Sequence, residues 1–534
     1  MRIDKVYIED FKNLKKFSID LDEKQMNTVL LGQNATGKSN FIEALIQIFK
    51  HLDLSTSTSR VYPDFSYYIA YQCHGKKIEI DHTKSKTYDI KIEGLKSITY
   101  KAFFSKEGKA QYLPKYVFTY YSGVSNRLDE LFWKHQENFY NRIIKSGFVG
   151  SDLDDLRRLF YVKQIHSFFV LMAFFSLPRM EKRSREFLNN ILGIEDLESV
   201  LFVLKKANWN NERGDPRFWG ADGLVKDFLS VLWDYSLAPI YEEKSVKIDF
   251  RRNETQNRLY LYLKDKAQLK AFAKKYFDIN QEKPNNTFLF KALESTYISD
   301  MLEEVKVVVK KKKDGKVTFK ELSEGEQQLL TVIGLLIFTR EDESLVLLDE
   351  PDTHLNPLWK YDYLHFLKTL VKSKEKLQAD EGVEDNEEDE TTQIIINTHD
   401  PLMIGSMVKS QVRLFGKDGP KASSNEIMDR FDELRAQSKN EAIEPDVDPQ
   451  GLGVAGILRS ELFGLKTVLD RETNLLLEER NRLMYKQSKG ETTEKDLERL
   501  EELFDILSRK GFNQTFRDPL FEEYIVERMK NLLE

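Results

Sequence analysis

GQNATGKS, at residues 32–39, decides the fold, because it matches the pattern G-x-x-x-x-G-K-[ST] of a phosphate-binding loop. A short apolar run precedes it at residues 28–31, and apolar residues at helical spacing follow it at residues 40–50. In that setting the loop points successive backbone N–H groups inward, and the next helix adds its N-terminal dipole. The sequence therefore predicts a buried strand, an anion-binding loop and a helix, in that order.

The side chains of the loop indicate that the anion is the phosphate chain of a nucleotide. Lys38 is placed to neutralise the β and γ phosphates of ATP, and the Ser39 hydroxyl to ligate the magnesium ion that bridges them. ATP and magnesium are thus the predicted cofactors. The predicted nucleotide-binding residues are Gly32, Asn34, Gly37, Lys38 and Ser39.

Two adjacent carboxylates end a second predicted strand, in SLVLLDEP at residues 344–351. They lie at the C-terminal edge of the strand, where α/β sheets bind ligands. Because neighbouring strand residues point in opposite directions, the two carboxylates have different tasks. Asp349 is predicted to hold magnesium, and Glu350 to orient and deprotonate the attacking water.

A third segment, LSEGEQQLL at residues 322–330, begins a predicted helix after a lysine-rich hairpin. Together with the two segments above, it resembles the signature motif of ABC ATPases, in the form found in the SMC, RecF and overcoming-lysogenization-defect (OLD) branches. The resemblance implies a homodimer or higher homo-oligomer in which Ser323 and Gly325 contact, in trans, the γ phosphate held by the other subunit. Taken alone, the segment is equally consistent with an ordinary helix N-cap.

Further positions follow from the same resemblance. His399 lies just after the predicted strand QIIIN, where the family has a catalytic switch histidine that contacts the γ phosphate. Asp352 lies in the family's D-loop region, which crosses the dimer interface. The segment at the place of the family's Q-loop contains no glutamine, and the alternatives there are Tyr121, Ser122 and Ser125.

The predicted fold class is α/β: an ABC-type P-loop NTPase core with a helical insertion and a C-terminal helical region. Residues 98–104 are predicted to form a strand, and residues 472–508 a helical hairpin. The predicted domains are an N-terminal lobe of the core at 1–126, the helical insertion at 127–239, a C-terminal lobe at 240–420, and a helical region and candidate partner-docking module at 421–534.

Composition limits the partners and the compartment. The net charge of −7 gives no global attraction to nucleic acid, so any DNA or RNA contact needs a local patch. The lysines from Lys310 to Lys320 are the best candidate, with a solvated hairpin tip as the alternative.

The longest apolar run, at residues 165–177, is shorter than the roughly 20 residues that cross a bilayer. We therefore expect a cytoplasmic protein without membrane contact, and a solvated acidic loop at residues 380–390.

The biological role is predicted from family resemblance. Residues 40–321 lack sustained heptads, which argues against a long coiled-coil arm. Three segments outside the ATP motifs carry a further resemblance: FYVKQIHSFFVLMAFF at 160–175, DPRFWGADGLVKDFL at 215–229 and GVAGILRSELFGL at 453–465. With these and its compact core, the chain is most similar to the PtuA family, the ATPases of Septu-type anti-phage systems that also accompany some retrons. That resemblance implies a sensor subunit that controls a separate HNH nuclease of the PtuB type. In a retron setting, a reverse transcriptase and its nucleic acid are further candidate partners.

Two other roles stay open at this point. A RecF-like repair ATPase that binds DNA in an ATP-dependent way is the alternative function. An intrinsic nuclease of the Toprim type, as in OLD nucleases, would need a glutamate after a strand and a later Asp-x-Asp. DVD at residues 446–448 follows Glu444 without a predicted buried strand before it, so that no intrinsic nuclease is predicted.

Overall fold

A computed structural model describes residues 1–84, 87–143, 157–178, 180, 182–207, 214–247, 249–338, 343–371, 391–418 and 429–512. The chain forms two compact units, Met1–Gly453 and Val454–Glu534. The acidic segment at 380–390 lies outside the described residues.

The strands, in chain order, are β1 (Arg2–Phe11), β2 (Leu14–Asp20), β3 (Asn27–Leu31), β4 (Tyr67–Cys73), β5 (Lys76–Asp81), β6 (Asp89–Ile92), β7 (Val117–Tyr121), β8 (Leu159–Val162), β9 (Ile194–Lys205), β10 (Ile240–Lys247), β11 (Asn253–Leu263), β12 (Leu302–Lys311), β13 (Gly315–Thr318), β14 (Leu345–Asp349), β15 (Gln393–Asn397), β16 (Val412–Asp418) and β17 (Asn440–Ile443).

The α-helices are α1 (Lys38–Leu54), α2 (Tyr100–Phe103), α3 (Lys106–Tyr112), α4 (Asp129–Ile143), α5 (Ile165–Ser176), α6 (Lys182–Glu186), α7 (Gly223–Tyr235), α8 (Lys266–Ile279), α9 (Asn286–Ile298), α10 (Glu324–Phe338), α11 (Pro357–Val371), α12 (Pro401–Ile404), α13 (Arg430–Arg435), α14 (Gly453–Arg459), α15 (Arg471–Ser488) and α16 (Glu494–Arg509).

The larger sheet has twelve strands in the order β6-β5-β4-β1-β2-β17-β16-β3-β15-β14-β7-β8. The strands from β16 to β8 run parallel, and β3, β14 and β15 are buried along their whole length. Asp349 at the end of β14 is aligned with Tyr121 on β7 and with Asn397 on β15. Asn397 is in turn aligned with Leu30, near the end of β3. Parallel pairing therefore brings the phosphate loop and the two carboxylates to one edge of the sheet.

The helix after the phosphate loop, α1, is held by its apolar face. Phe41, Leu45 and Phe49 recur at the spacing of one helix face and are at most 1% exposed. The ring of Phe41 lies 5.8 Å from that of Phe17 and 5.9 Å from that of Phe415, centroid to centroid. Burying one such side chain stabilises a fold by about 1.5–3 kcal/mol. The start of α1 is thus fixed by packing that needs no ligand.

The smaller sheet is antiparallel, with the order β10-β11-β9-β12-β13. Its β12–β13 hairpin is the predicted lysine-rich hairpin, and it turns at Asp314 and Gly315, whose φ is 74°. Glycine suits this left-handed position because it has no Cβ. The chain then runs through a short 3-10 turn, Phe319–Glu321, into α10, so that the hairpin leads directly to the signature segment.

The predicted helical insertion is not wholly helical. β8 joins the parallel edge of the larger sheet next to β7, and β9 lies in the middle of the smaller sheet. The aromatic residues of this region fit a buried strand as well as a helix, and periodicity alone does not separate the two. Residues 98–104, predicted as a strand, contain α2, which begins after the N-cap Thr99.

The C-terminal region also differs from the prediction. The first compact unit extends to Gly453, beyond the predicted boundary at residue 420, because β17 pairs with β2 and β16 in the larger sheet. β17 ends directly before Glu444, so that a strand does precede the DVD segment. The predicted helical hairpin is confirmed: α15 and α16 pack against each other, and Thr493 and Asp496 form a capping box.

Candidate active site

The phosphate loop has the backbone of an anion-binding turn. Gly32 and Gly37 have φ values of 141° and 106°, which side-chain-bearing residues rarely adopt. A Cβ at Gly37 would also lie 2.6 Å from Cδ2 of Leu14. Lys38 folds back over the loop, and its Nζ donates hydrogen bonds to the carbonyl oxygens of Gly32 at 2.7 Å and Gln33 at 3.0 Å. The lysine thus marks the place where phosphate oxygens would be bound.

Burial lowers the pKa of Lys38 to about 8, although the carboxylates of Glu350 and Asp349 oppose that shift. Desolvation destabilises a charged ammonium group. The phosphates of a nucleotide would supply the negative charge that this buried ammonium lacks.

Ser39, Asp349 and Asn397 come together from three segments that are far apart in sequence. The Ser39 hydroxyl donates to Oδ1 of Asp349 at 3.0 Å, and the Asn397 amide donates to the same carboxylate oxygen at 2.5 Å. Asn397 also lies 3.2 Å from the Ser39 hydroxyl. Asp349 is fully buried, and this burial raises its pKa against the effect of the hydrogen bonds.

The oxygen atoms of this cluster fit a magnesium ion. Oδ2 of Asp349 is buried and accepts no hydrogen bond from a described residue. A carboxylate and a hydroxyl are hard oxygen donors, and magnesium usually takes few protein ligands and completes its shell with phosphate and water. Asp349 and Ser39 would hold the ion. When bound, it would neutralise charge on the β and γ phosphates.

Glu350 and His399 form a second pair at the same edge of the sheet. Nε2 of His399 lies 3.1 Å from Oε1 of Glu350, and both side chains are about one-third exposed, at 39% and 33%. The backbone of Glu350 has a left-handed φ of 57°, while its N–H donates to the carbonyl of Asn397 at 2.9 Å. Strained backbone of this kind is held in place only by its surroundings and is frequent at active sites. The pair is suited to hold a water molecule and accept its proton.

The segment after β7 contributes a residue that the sequence analysis missed. Nη2 of Arg127 lies 3.6 Å from Oδ2 of Asp349, and its guanidinium lies over the ring of Tyr121, 5.4 Å from the centroid. Of the proposed Q-loop alternatives, Ser122 donates its N–H to the carbonyl of Asp349 at 3.2 Å. Only the alignment of β7 with β14 could have indicated these contacts, since no local motif marks Arg127.

The signature segment begins α10. The N–H and the hydroxyl of Ser323 both donate to Oε2 of Glu326, at 2.9 and 3.2 Å. Among the described residues, Ser323 makes no hydrogen bond to the phosphate loop. Gly325 packs closely against the segment after Glu350, and a Cβ there would lie 2.7 Å from the carbonyl oxygen of His354.

Asp352 lies inside the subunit, although the resemblance implied an interface position. Its side chain is 4% exposed, and the Thr398 hydroxyl donates to its Oδ2 at 2.9 Å. Burial raises the pKa of Asp352 to about 6. This contact joins the turn after β14 to the turn before His399, so that Asp352 holds the two turns together from within.

The lysine-rich hairpin is largely neutralised by neighbouring carboxylates. Lys312 and Lys313 form no ion pair with a described residue. The other hairpin lysines form ion pairs as follows: Lys310 with Glu195 (3.7 Å), Lys311 with Glu326 (2.5 Å), Lys316 with Glu198 (2.8 Å) and Lys320 with Glu304 (2.5 Å).

A phosphate loop after β3, paired carboxylates at the end of β14 and a histidine after β15, all at one edge of the parallel part of the larger sheet, define an α/β P-loop ATPase core of the ABC type. Residues 210–405 match a family model described as "AAA domain, putative AbiEii toxin, Type IV TA system". The matched region includes the signature segment, the two carboxylates and His399, but it begins after the phosphate loop. No curated protein matches the chain.

Among solved structures, the chain is similar to the "SMC head domain from Thermotoga maritima". The two share 12% sequence identity over 84% of this chain and 100% of that chain, with a TM-score of 0.28. The class therefore rests on the strand order and the site geometry. Within the described part of the chain, no helix is both long and apolar enough to cross a membrane.

Proposed function

We propose that this chain hydrolyses ATP to ADP and phosphate, and that two copies close head to tail over two ATP molecules. The observation that carries the proposal is the Glu350–His399 pair, 3.1 Å apart, beside the Ser39–Asp349 contact of 3.0 Å. One group of side chains is suited to hold magnesium and phosphate, and the other to activate water. Among the described residues Ser323 makes no hydrogen bond to the phosphate loop of its own chain, which supports its use by a second copy.

Lys38, His399 and Glu350 have separate roles in the proposed reaction. Lys38 and the loop N–H groups hold the phosphates, and His399 orients the Glu350 carboxylate. As the water oxygen bonds to the γ phosphorus, the bond from that phosphorus to the bridging oxygen of ADP breaks, and Glu350 takes the proton of the water. A positioned general base of this kind contributes about 10²- to 10⁴-fold to a rate.

Phosphate release from purified protein with ATP and magnesium tests this reaction. We expect turnover in the wild type, nucleotide binding without turnover in Glu350→Gln, and loss of binding in Lys38→Ala. A wild type that binds ATP and magnesium but releases no phosphate would contradict hydrolysis while leaving the binding site intact.

We further propose that the ATPase is the regulatory subunit of a cytoplasmic anti-phage complex with a separate HNH nuclease of the PtuB type. The support is the motif resemblance, together with the description of the matching family as a putative toxin of a TA system. The compact unit Val454–Glu534, outside the ATPase core, is the candidate docking module.

Affinity purification from the native host, followed by mass spectrometry, tests this role. We expect an HNH nuclease, or a retron reverse transcriptase with its nucleic acid, to co-purify and to be lost when residues 454–534 are deleted. Deletion of the gene should raise phage plaque counts. Purification without any nuclease, together with unchanged plaque counts, would reject the defence role.

The second candidate function is a RecF-like repair ATPase. It is favoured by Lys312 and Lys313, which have no ion-pair partner among the described residues and remain available for phosphate contacts. ATP-dependent binding of the purified protein to gapped DNA, weakened in the Lys312→Ala, Lys313→Ala double variant, would support it. Equal binding with and without ATP would argue against it.

A further inference from the structure

We infer that Lys311 and Glu326 are positioning residues for the signature segment, and that their ion pair determines how readily Ser323 receives the ATP held by a second copy. The inference rests on the proposed head-to-tail dimer and adds a control on its formation. It also gives a role to the lysine-rich hairpin, which the ATPase site itself does not use.

The Glu326 carboxylate is shared between two partners. One oxygen, Oε2, accepts hydrogen bonds from the N–H and the hydroxyl of Ser323, at 2.9 and 3.2 Å. The other oxygen, Oε1, accepts a hydrogen bond from the Lys311 ammonium group at 2.5 Å. The Glu326 and Lys311 side chains are only 13% and 15% exposed, so that water competes little for this contact. The lysine of the hairpin therefore acts on the carboxylate that caps Ser323.

The donors held by Glu326 are the ones that a trans phosphate needs. A γ phosphate that approaches Ser323 has to replace a carboxylate on the same N–H and hydroxyl groups. Two anions at one pair of donors repel each other unless a cation compensates. Lys311 supplies that cation, and it offers the displaced carboxylate a partner away from Ser323.

Lys311 differs from the neighbouring lysines because it forms an ion pair with a residue outside its own sheet. Lys310 and Lys316 pair with Glu195 and Glu198, which belong to β9 of the same sheet. Lys311 lies 3.7 Å from Asp314 in its own hairpin, but it also reaches Glu326 on α10 at 2.5 Å. Among the described residues, this is the one ion pair through which the hairpin contacts the signature helix.

An ordinary capping box does not account for this arrangement. A capping box needs a side-chain acceptor at the third helical position, and glutamine serves there as well as glutamate. It does not need a partly buried lysine on a neighbouring strand. Glu326→Gln therefore separates the two roles, because it keeps the cap and removes the negative charge.

The test is ATP-driven association of the full chain in the Glu350→Gln background, measured by light scattering over a range of protein concentrations. Adding Lys311→Met should weaken association about tenfold or more, and adding Glu326→Gln as well should restore it, as expected for directly coupled charges. Lys310→Met is the matched control and should leave association unchanged. Binding of a fluorescent ATP analogue to dilute protein should be equal in all variants.

Three results would overturn the inference. Association of the Lys311→Met variant equal to that of its parent would show that the ion pair does not control the signature segment. A double variant as weak as Lys311→Met alone would show a structural role for the lysine rather than a charge effect. If the Glu350→Gln parent does not associate at all, the head-to-tail dimer itself is contradicted, and the inference falls with it.

Discussion

The hydroxyl of Ser39 donates a hydrogen bond to Oδ1 of Asp349 across 3.0 Å, although the two residues are 310 positions apart in sequence. Ser39 is the second residue of α1 and the last of the phosphate loop, and Asp349 ends the buried strand β14, which is separated from β3 by β15. The fold therefore holds the two proposed oxygen donors for magnesium side by side. Preorganisation of this kind lowers the cost of binding, because no side chain has to be ordered first.

Replacing Asp349 with asparagine tests this assembly. The amide is similar in shape but has no charge for the metal, and it places an N–H₂ group beside Asn397. We expect magnesium to strengthen ATP binding at least about tenfold in the wild type and to have little effect in Asp349→Asn. ATP binding titrated with and without magnesium measures the effect, with the exposed Asp505→Asn as a control. An unchanged magnesium dependence would place the metal elsewhere.

Glu350→Gln should lower the rate of ATP hydrolysis about 10²- to 10⁴-fold, because the amide does not take the proton of the attacking water. Nucleotide binding should persist, since Glu350 holds no phosphate. His399→Ala should lower the rate less, because the carboxylate remains but loses a contact of 3.1 Å. Steady-state phosphate release measures both variants, and exposed Glu137→Gln serves as the control. A Glu350→Gln variant with wild-type turnover would remove Glu350 from the mechanism.

The lowered pKa of Lys38, about 8, predicts a pH dependence of ATP binding. Below that pH the lysine is already charged and affinity is constant. Above it the free protein has to take up a proton when the phosphates bind, so that affinity falls by up to about tenfold per pH unit. Calorimetric titration from pH 7 to 9.5 should show this decrease and the matching proton uptake. Affinity that stays level to pH 9.5 would show that Lys38 is charged throughout in the free protein.

The phosphate loop and the paired carboxylates could be predicted from sequence because each is a local pattern on a regular element. The hairpin turn at Gly315 and the capping box at Thr493 are local in the same way. Asn397 and Arg127 were not predicted as site residues, because they reach Asp349 only through the pairing of parallel strands.

The boundaries of the fold were harder to predict for a related physical reason. β8 has four residues, two of them aromatic, and β9 has twelve residues, and the state of each is decided by the sheet that it joins. β17 is four residues long and pairs with strands distant in sequence. Tertiary context of this kind overrides local preference in strands.

A buried cluster that is not part of the nucleotide site should govern acid stability. His166 lies 2.7 Å and Arg157 lies 2.6 Å from the carboxylate of Glu294. Burial alone would raise the pKa of Glu294, but these two partners outweigh it and lower the pKa to about 2. Ionised Glu294 therefore stabilises the folded protein fully above pH 4.5, which is the ordinary pKa of a glutamate. This stabilisation is lost as the pH falls toward 2.

Glu294→Gln should destabilise the first compact unit by about 3–5 kcal/mol near pH 7, because it leaves the Arg157 charge buried without its partner. The difference in the free energy of unfolding between the variant and the wild type should become smaller as the pH falls from 5 to 3. Thermal unfolding at a series of pH values measures both effects. A difference that stays constant over that range would show that Glu294 is not ionised in the folded protein.

The size of the protein in solution tests the central claim, that two copies share their ATP sites. Light scattering should be measured for wild type, Glu350→Gln and Lys38→Ala, each with and without ATP and magnesium. We predict that ATP drives Glu350→Gln into a dimer or larger assembly and has no such effect on Lys38→Ala. A Glu350→Gln protein that binds ATP yet keeps the same mass with and without it would contradict the shared site.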